Sequence, residues 1–362
     1  MLYRETGQFK TTYQSDMSIF PIRQDRIALY LLLLFAFVGV PLLNMFEVGM
    51  FGRDYIFKAI LIPFLILALA AIGLNILTGY CGQISLGAGA FMAIGAYAAY
   101  NLSIRVPGMP VLAAILLAGG ISAFAGILFG IPSLRIKGLY LAVATLAAQF
   151  FFDWLFIRVG WFTNYTPSGS VNAPALMFFG YHVDTPIERY LLALSFVTVF
   201  ALIAKNLVRG SLGRQWMAIR DMDIAAEIMG IRPFYAKLTA FAVSSFFIGV
   251  AGALWAYVHL SSWEPLAFNI DRSLQILFMI IIGGLGSILG SFLGAAFILI
   301  LPIMLDQVPQ AMGIRLSVEL VTHLVFIITG SLICFLLIKE PHGFARLWSL
   351  MKEKLRLWPF PY

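Results

Sequence analysis

The stretch KNLVRGSLGRQWMAIRDMDIAAEIMGIRPFYAK, residues 205–237, is the long polar passage around which the rest of the chain is organised. It carries six basic and three acidic residues, and strongly apolar runs flank it on both sides. A charged segment between apolar runs of this kind indicates a loop between two membrane spans.

The centre of this stretch predicts a short helix that lies on a surface. Asp221 is placed to cap its first turn, Asp223 adds negative charge there, and Gly230 follows its last turn. The spacing i, i+3, i+4 and i+7 predicts an apolar face made of Met222, Ala225, Ala226 and Met229. Glu227 lies on the opposite face, so the helix is expected to fit a groove in a partner protein.

The composition is that of a multi-pass membrane protein. Of the 362 residues, 61% are hydrophobic and 11% are charged, and the mean hydropathy is +0.93, which excludes an ordinary soluble domain. Apolar runs of about 20 residues predict α-helical spans, since the strands of a transmembrane barrel are short and alternate. The net charge of +7 fits basic residues beside membrane helices, and no nucleic-acid partner is expected. The two cysteines and the scattered histidines predict no disulfide framework and no metal site.

Six spans precede the polar stretch when they are counted from a cytoplasmic N-terminus. They are 27–46, 56–77, 79–100, 111–131, 139–157 and 190–208. Arg135 and Lys137 place the turn before the fifth span in the cytoplasm, and the weakly basic loop 160–189 is placed outside. This count puts residues 205–237 on the cytoplasmic side.

After the polar stretch, one span reaches residue 260 and a last span covers 317–338. The apolar run 273–305 is predicted to be a helix pair broken at 283–287, because a single helix would leave the basic tail outside. The predicted fold is an all-α integral membrane protein, a polytopic helical bundle of about eight full spans plus this pair. Both termini are cytoplasmic in this prediction. The parts are an N-terminal segment 1–26, a transmembrane domain 27–338 with the loop 205–237, and a basic tail 339–362 that is either a topology signal or a lipid contact.

Glycines recur at matching places in the two halves. Gly79 and Gly82 correspond to Gly283 and Gly286, 204 residues further on, and a helix rich in small residues follows each pair. Such glycines permit close helix packing, or they expose backbone along a transport pathway, and both interpretations stay open here. The candidate pathway residues are Asn75, Gly79, Gly82, Gln83, Ser85, Thr145, Gln149, Gly283 and Gly286.

The sequence contains no GxxxxGK[ST] phosphate loop, so the chain is not expected to hydrolyse ATP itself, and no catalytic residue is predicted. Energy would come from a partner protein that docks on residues 205–237, or from an ion gradient. Asp153, Glu319 and His323 are the ionisable residues in or near spans that favour the second source. Glu319 and His323 are one helical turn apart and are expected to pair.

Five motifs occur in a fixed order: GYCGQISLGAGAFMAIGAYAA, RIKGLYLAVATLA, GRQWMAIRDMDIAAEIMGI, GGLGSILGSFLGAA and KEPHGFARLW. Together they resemble LivM-like permease subunits of the branched-chain amino-acid type of ABC importer. The resemblance covers about 74–348, which is most of the chain.

In ABC importer permeases, a cytoplasmic EAA-xxx-G pattern forms a coupling helix that sits in a cleft of the ATPase. Ala225, Ala226 and Gly230 match this pattern, whereas Ile224 stands where the general pattern has glutamate. The resemblance implies that the ATPase-coupling residues are Arg220, Asp221, Met222, Asp223, Ala225, Ala226, Glu227, Met229 and Gly230.

The resemblance also implies an assembly in the bacterial inner membrane. Its other members are a second, LivH-like permease, two ATP-binding subunits that hold ATP and Mg, and an external solute-binding protein, with membrane lipid around them. This chain itself is expected to bind no cofactor. The solute stays open among branched-chain and other amino acids, urea, amides and small aromatic acids.

Overall fold

The computed structural model describes residues 23–46, 54–133, 140–166, 169–178, 181–311, 317–339 and 343–357. The expectations for residues 1–22 and for the basic turn at Arg135 and Lys137 lie outside the described residues.

The first half of the chain is a series of helices. They are α1 (Arg23–Leu34), α2 (Val40–Met45), α3 (Asp54–Ile56), α4 (Ile62–Asn75), α5 (Ala88–Arg105), α6 (Val111–Ser133), α7 (Tyr140–Arg158) and α8 (Pro186–Arg209). Three π-helical turns, Phe35–Gly39, Phe57–Leu61 and Ile76–Tyr80, join α1 to α2 and extend α4 at both ends. The start of α8 is fixed by a capping box, in which Thr185 and Glu188 exchange side-chain and backbone hydrogen bonds.

The second half contains the polar stretch and the remaining helices. These are α9 (Ser211–Asp221), α10 (Asp223–Ile228), α11 (Pro233–Leu254) with its π-helical continuation Trp255–Leu260, α12 (Ile270–Gly283), α13 (Ile288–Ala311), α14 (Val318–Lys339) and α15 (Gly343–Leu357). The predicted break in the run 273–305 is therefore present, between Gly283 and Ile288.

Nine helices of the described residues are long and apolar enough to cross a membrane. They are Asp25–Met45, Asp54–Tyr80, Val111–Pro132, Leu141–Arg158, Pro186–Arg209, Pro233–Leu260, Pro265–Gly283, Ile288–Gln307 and Glu319–Leu336. The 18-residue helix α5 is not among these nine, although it lies buried inside the bundle. The predicted polytopic helical bundle is confirmed.

The core of the bundle is formed by α4, α5, α6 and α11. α4 is buried on nearly all sides because it has no polar face. α5 and α11 approach closely at Gly95 and Gly249, where a Cβ on Gly95 would overlap the Gly249 carbonyl. A Cβ on Gly249 would in turn overlap Ser122 of α6. Small residues therefore hold three helices together here, as is usual between helices in lipid.

Short strands order the loops at one end of the bundle. β1 (Val171–Asn172) pairs with β4 (Ser262–Trp263), and β2 (Met177–Phe178) pairs with β3 (Tyr181–His182), both antiparallel. The buried ring of Trp263 lies 6.0 Å from Tyr100 and 5.9 Å from Tyr257, measured between ring centroids. These contacts fix the loop after α11 to the core.

The tail forms an amphipathic helix, α15, that contacts the bundle. Its Phe344 ring lies 5.3 Å from Phe297 of α13, and Lys352 Nζ lies 2.9 Å from Asp25 Oδ1 of α1. The tail helix α15 thus contacts both α1, at the start of the described chain, and α13.

Candidate functional site

The short helix predicted in the polar stretch is α10, and it begins at Asp223, one residue later than a cap at Asp221 requires. Asp221 is the last residue of α9, and Met222 precedes α10 with extended backbone angles of φ −161° and ψ 103°. The prediction that Asp221 caps α10 is wrong, because the Met222 N–H still bonds to Ala218 O and so extends α9. The Asp221 carboxylate instead pairs with Arg220, at 2.9 Å.

One ion pair joins α10 to α11, and one backbone hydrogen bond closes the turn between them. Lys237 Nζ lies 2.7 Å from Asp223 Oδ2, and the Ile231 N–H donates to Ala226 O at 3.0 Å. Ala226 is fully buried. Gly230 ends the helix with φ +88°, a left-handed conformation that suits glycine. α10 therefore has a fixed orientation on the bundle.

The exposed apolar surface of α10 differs from the predicted face. Ala226 packs inward and Ala225 is half-buried, whereas the large apolar side chains point away from the bundle. They are Met222, Ile224, Ile228 and Met229, which are 64%, 73%, 82% and 71% exposed. The assignment of Ala225 and Ala226 to this surface is wrong, because the small alanine is what allows α10 to approach α11. We call these four residues the α10 surface.

A cleft of about 430 Å³ lies beside the α10 surface. It is bordered by residues of α9, the α10–α11 turn and α11, which are Leu212, Gln215, Met229, Gly230, Ile231, Arg232, Tyr235, Ala236 and Thr239. A protruding apolar helix next to a cleft of mixed polarity is a shape that a partner protein can recognise.

α9 connects α10 to the interior of the bundle. Its Trp216 is fully buried, and the indole Nε1–H donates to Thr239 Oγ1 of α11 at 3.1 Å. Arg220, in its last turn, donates from Nη1 to Gly79 O at 3.0 Å. The polar stretch therefore contacts the glycine-rich segment after α4, which the sequence did not predict.

The two sets of glycines meet each other. We call residues 79–82 the first glycine turn and residues 283–287 the second glycine turn. The Asn75 side chain, one helical turn before the first glycine turn, bonds to the second, because its Oδ1 accepts from Gly286 N at 2.8 Å and its Nδ2 donates to Ser287 O at 2.9 Å. A third bond runs from Nδ2 to Ser291 Oγ, at 2.9 Å. A Cβ on Gly79 would overlap the Gly286 nitrogen.

A second group of polar side chains surrounds the first turn of α5. Thr145 Oγ1 accepts from Leu86 N at 2.9 Å, Gln149 Oε1 from Ala90 N at 2.6 Å, and Ser273 Oγ from Gly89 N at 2.7 Å. The first N–H groups of a helix have no partner within the helix. Here α7 and α12 supply partners for them, so α5 can begin in the buried interior.

The predicted pathway residues lie in these two groups. Asn75, Ser85, Thr145 and Gln149 are almost completely buried, whereas Gly82 is exposed and Gln83 partly so. Asn75, Thr145 and Gln149 bond to distant parts of the chain, which is the packing role that the sequence also allowed, whereas Ser85 Oγ accepts from the nearby Gly87 N–H. Their part in a pathway stays a prediction. Ser273 and Ser291 belong to the same groups; Ser291 lies in the motif GGLGSILGSFLGAA, but neither serine was predicted as a site residue.

The ionisable residues considered for an ion-coupled mechanism are dispersed. Asp153 accepts a hydrogen bond from Gln149 Nε2 at 2.9 Å. Glu319 and His323 are exposed on α14, and the ion pairs found among the described residues do not join them. The expected pairing is wrong, because the two side chains do not approach each other. The part of the chain that the structure describes contains no cluster of three or more His, Cys, Asp or Glu that could hold a metal ion.

The chain has membrane-length helices, two glycine turns in contact, and the short helix α10 outside the bundle between two sets of spans. These features are those of a multi-pass membrane permease. The comparisons with known proteins agree with this class. Residues 56–336 match the family described as branched-chain amino acid transport system / permease component, and the chain belongs to this family.

The similar proteins include two curated branched-chain permeases. The chain is 33% identical over 264 residues to the high-affinity branched-chain amino acid transport system permease protein LivM of Salmonella typhimurium, and 32% identical to that of Escherichia coli. Each match covers 65% of this chain and 60% of the relative. The ribose import permease protein RbsC of Haemophilus influenzae is 24% identical over 242 residues, 64% of this chain and 71% of the relative. No solved structure matches the chain.

Proposed function

We propose that this chain is the permease subunit of an ATP-driven importer, and that it forms part of the translocation pathway for a branched-chain or related amino acid. The observation that carries the proposal is the α10 surface, four exposed apolar side chains on a helix attached to α11 and adjacent to Arg220. The family of the chain and the names of two relatives support the solute class.

The proposed partners follow from this role. Two ATP-binding subunits, which hold ATP and Mg, would receive the α10 surface, because exposed apolar side chains in water favour burial against a partner. A second, LivH-like permease would complete the pathway, and an external solute-binding protein would deliver the solute. The chain would lie in the bacterial inner membrane, with residues 205–237 and both termini in the cytoplasm.

Membrane lipid is a further proposed partner, through α15. Leu347, Trp348 and Met351 continue the stripe of Phe344 along this helix and are 43–50% exposed. Phe344 packs on the membrane-length helix α13, and in this proposal the stripe would contact the bilayer. Basic residues flank it, which favours anionic headgroups.

The docking role is tested by a charge on the α10 surface. Ile228→Asp should reduce recovery of the ATP-binding subunits with the tagged permease at least tenfold, since a charge cannot be buried there without a partner. Ser211→Asp adds the same charge at the start of α9 and should leave recovery unchanged. Equal recovery with Ile228→Asp and with the wild type would show that α10 does not dock an ATPase.

The energy source is tested separately. Proteoliposomes that hold the complete complex should accumulate radiolabelled leucine when ATP is enclosed and the solute-binding protein is added. Accumulation by this chain alone, driven by an imposed ion gradient without ATP, would favour the ion-coupled carrier instead.

A further inference from the structure

We propose that Arg220 is a positioning residue that transmits movement of α9 and α10 to both glycine turns at once. The inference rests on the proposed function, because it presumes that a partner moves α10. It goes beyond docking, since it identifies the contact through which the movement enters the membrane-spanning part.

The Arg220 side chain is fixed at both ends of its guanidinium group. Nη1 donates to Gly79 O at 3.0 Å, and Nε and Nη2 both contact Asp221 Oδ1, at 3.0 and 2.9 Å. The planar guanidinium is contacted from two sides, with the Arg220 side chain 38% and the Asp221 side chain 68% exposed, and bonds between a cation and an oxygen acceptor are stronger than neutral ones. The group therefore behaves as an extension of α9 and not as a free surface charge.

Both glycine turns close around this one side chain. Gly82 and Gly286 have left-handed backbones, with φ +72° and φ +74°. A Cβ on Gly82 would lie 3.0 Å from Arg220 Cγ, and a Cβ on Gly286 would lie 3.2 Å from Arg220 Nη1. Glycine is required at both places by conformation, and it also leaves the space that the arginine occupies. This gives the glycine repeat of the sequence a physical reason, since its two copies enclose the same residue.

If Arg220 moves, the two glycine turns must move together. Asn75 bonds to Gly286 N and Ser287 O, which links the end of α4 to the start of α13. On the other side, Trp216 is bonded to Thr239 and ties α9 to α11. A displacement of α9 is therefore passed to α4, α11 and α13 together, as in the rigid-body movements that switch other transport proteins.

A purely structural role for Arg220 has a different signature. A cation near the carbonyl end of a helix stabilises that end, and Gly79 O is such a carbonyl. Loss of that stabilisation would lower the amount of folded protein and would reduce ATP hydrolysis and uptake in parallel. Loss of transmission would instead reduce the amount of solute moved per ATP hydrolysed.

The test uses the complete transporter in proteoliposomes, with leucine as solute and ATP hydrolysis measured in the same vesicles. In Arg220→Met, leucine moved per ATP should fall at least tenfold, and Arg220→Lys should recover part of it, because an amine still donates to Gly79 O. The matched control is Arg214→Met, also on α9, where the guanidinium bonds locally to Arg209 O in the part of the chain that the structure describes; its ratio should stay within twofold of the wild type.

The outcomes separate this inference from the proposed function. If the wild-type complex moves no leucine with ATP, the proposed function fails. If the wild type transports and Arg220→Met keeps a ratio within twofold, or loses hydrolysis and uptake in equal proportion, the transmission role is overturned. If Arg220→Met does not assemble, Gly82→Ala is used instead, because its Cβ would press on the Arg220 side chain from the first glycine turn. If leucine moved per ATP in Gly82→Ala equals that of the wild type, the proposal is overturned as well.

Discussion

Replacing Asn75 with leucine should destabilise the protein, because it removes a buried amide that joins helices. Asn75 is 1% exposed and makes three hydrogen bonds of 2.8–2.9 Å to the second glycine turn and to Ser291. Leucine has the same branching and larger terminal groups, so the change removes bonds without opening a cavity. The Gly286 N–H then lacks this acceptor, which costs about 1–3 kcal/mol for a buried donor. With about 0.6 kcal/mol for each further interhelical bond lost, the expected loss is about 2–4 kcal/mol.

The measurement is equilibrium unfolding of the purified chain in mixed micelles with increasing SDS, followed by circular dichroism. The control is Asn101→Leu, another buried amide. Asn101 Nδ2 donates to Tyr97 O and Phe162 O, but its Oδ1 has no partner among the described residues. That variant should lose about 1 kcal/mol. The reasoning is refuted if the two variants unfold alike, or if Asn75→Leu is as stable as the wild type.

Three further predictions follow from other parts of the structure. Gly95→Val should yield no correctly folded protein by gel filtration, because its side chain meets the Gly249 carbonyl, whereas Gly120→Val, with nothing within 4 Å, should elute like the wild type. In a variant without native cysteines, Met351→Cys should react about tenfold more slowly than Glu353→Cys with a water-soluble maleimide, since the apolar stripe of α15 enters the headgroup region; equal rates would place α15 in water. Lys237→Met should lower uptake by less than about fivefold, because a partly exposed ion pair contributes at most about 1 kcal/mol, and a complete loss of uptake would contradict that estimate.

The sequence predicted the helical bundle well because membrane-spanning helices appear in the sequence as long runs of high hydropathy. Runs of about 20 apolar residues were enough to locate most of the spans. The predicted span 79–100 is the exception, because the helix there is α5, which begins at Ala88 and is not among the nine membrane-length helices of the described residues. The break in the run 273–305 was also predictable, since the position of the basic tail required an extra crossing and the glycines at 283–287 provided the place for it.

Contacts between distant segments could not be predicted in the same way. Ser273 and Ser291 are ordinary serines in apolar runs, and their importance depends on Gln149 and Asn75 arriving beside them from far along the chain. The contact of Arg220 with the first glycine turn is of the same kind. Hydropathy and spacing record which residues are buried, but they do not record which neighbour each one meets.

The face of α10 was mispredicted for a local reason. Helical spacing groups Met222, Ala225, Ala226 and Met229, but a helix of six residues has too few turns for spacing to decide its orientation. Attachment decides it instead, through the Asp223–Lys237 ion pair and the burial of Ala226. Size rather than periodicity was the useful signal, since the smallest side chain lies where two helices touch.

The buried start of α5 has a consequence for how the protein is made. α5 is too poor in strongly apolar residues to be counted among the membrane-length helices, and the Ser273 hydroxyl that serves its Gly89 N–H is encoded 184 residues later. At about 5–20 residues per second, a ribosome needs about 10–40 s to reach that serine. During this time α5 has neither the hydropathy to remain in lipid alone nor all the partners for its first turn. Its insertion is therefore expected to be completed late, when α12 enters the membrane, so that chains truncated before α12 should leave α5 accessible to proteases.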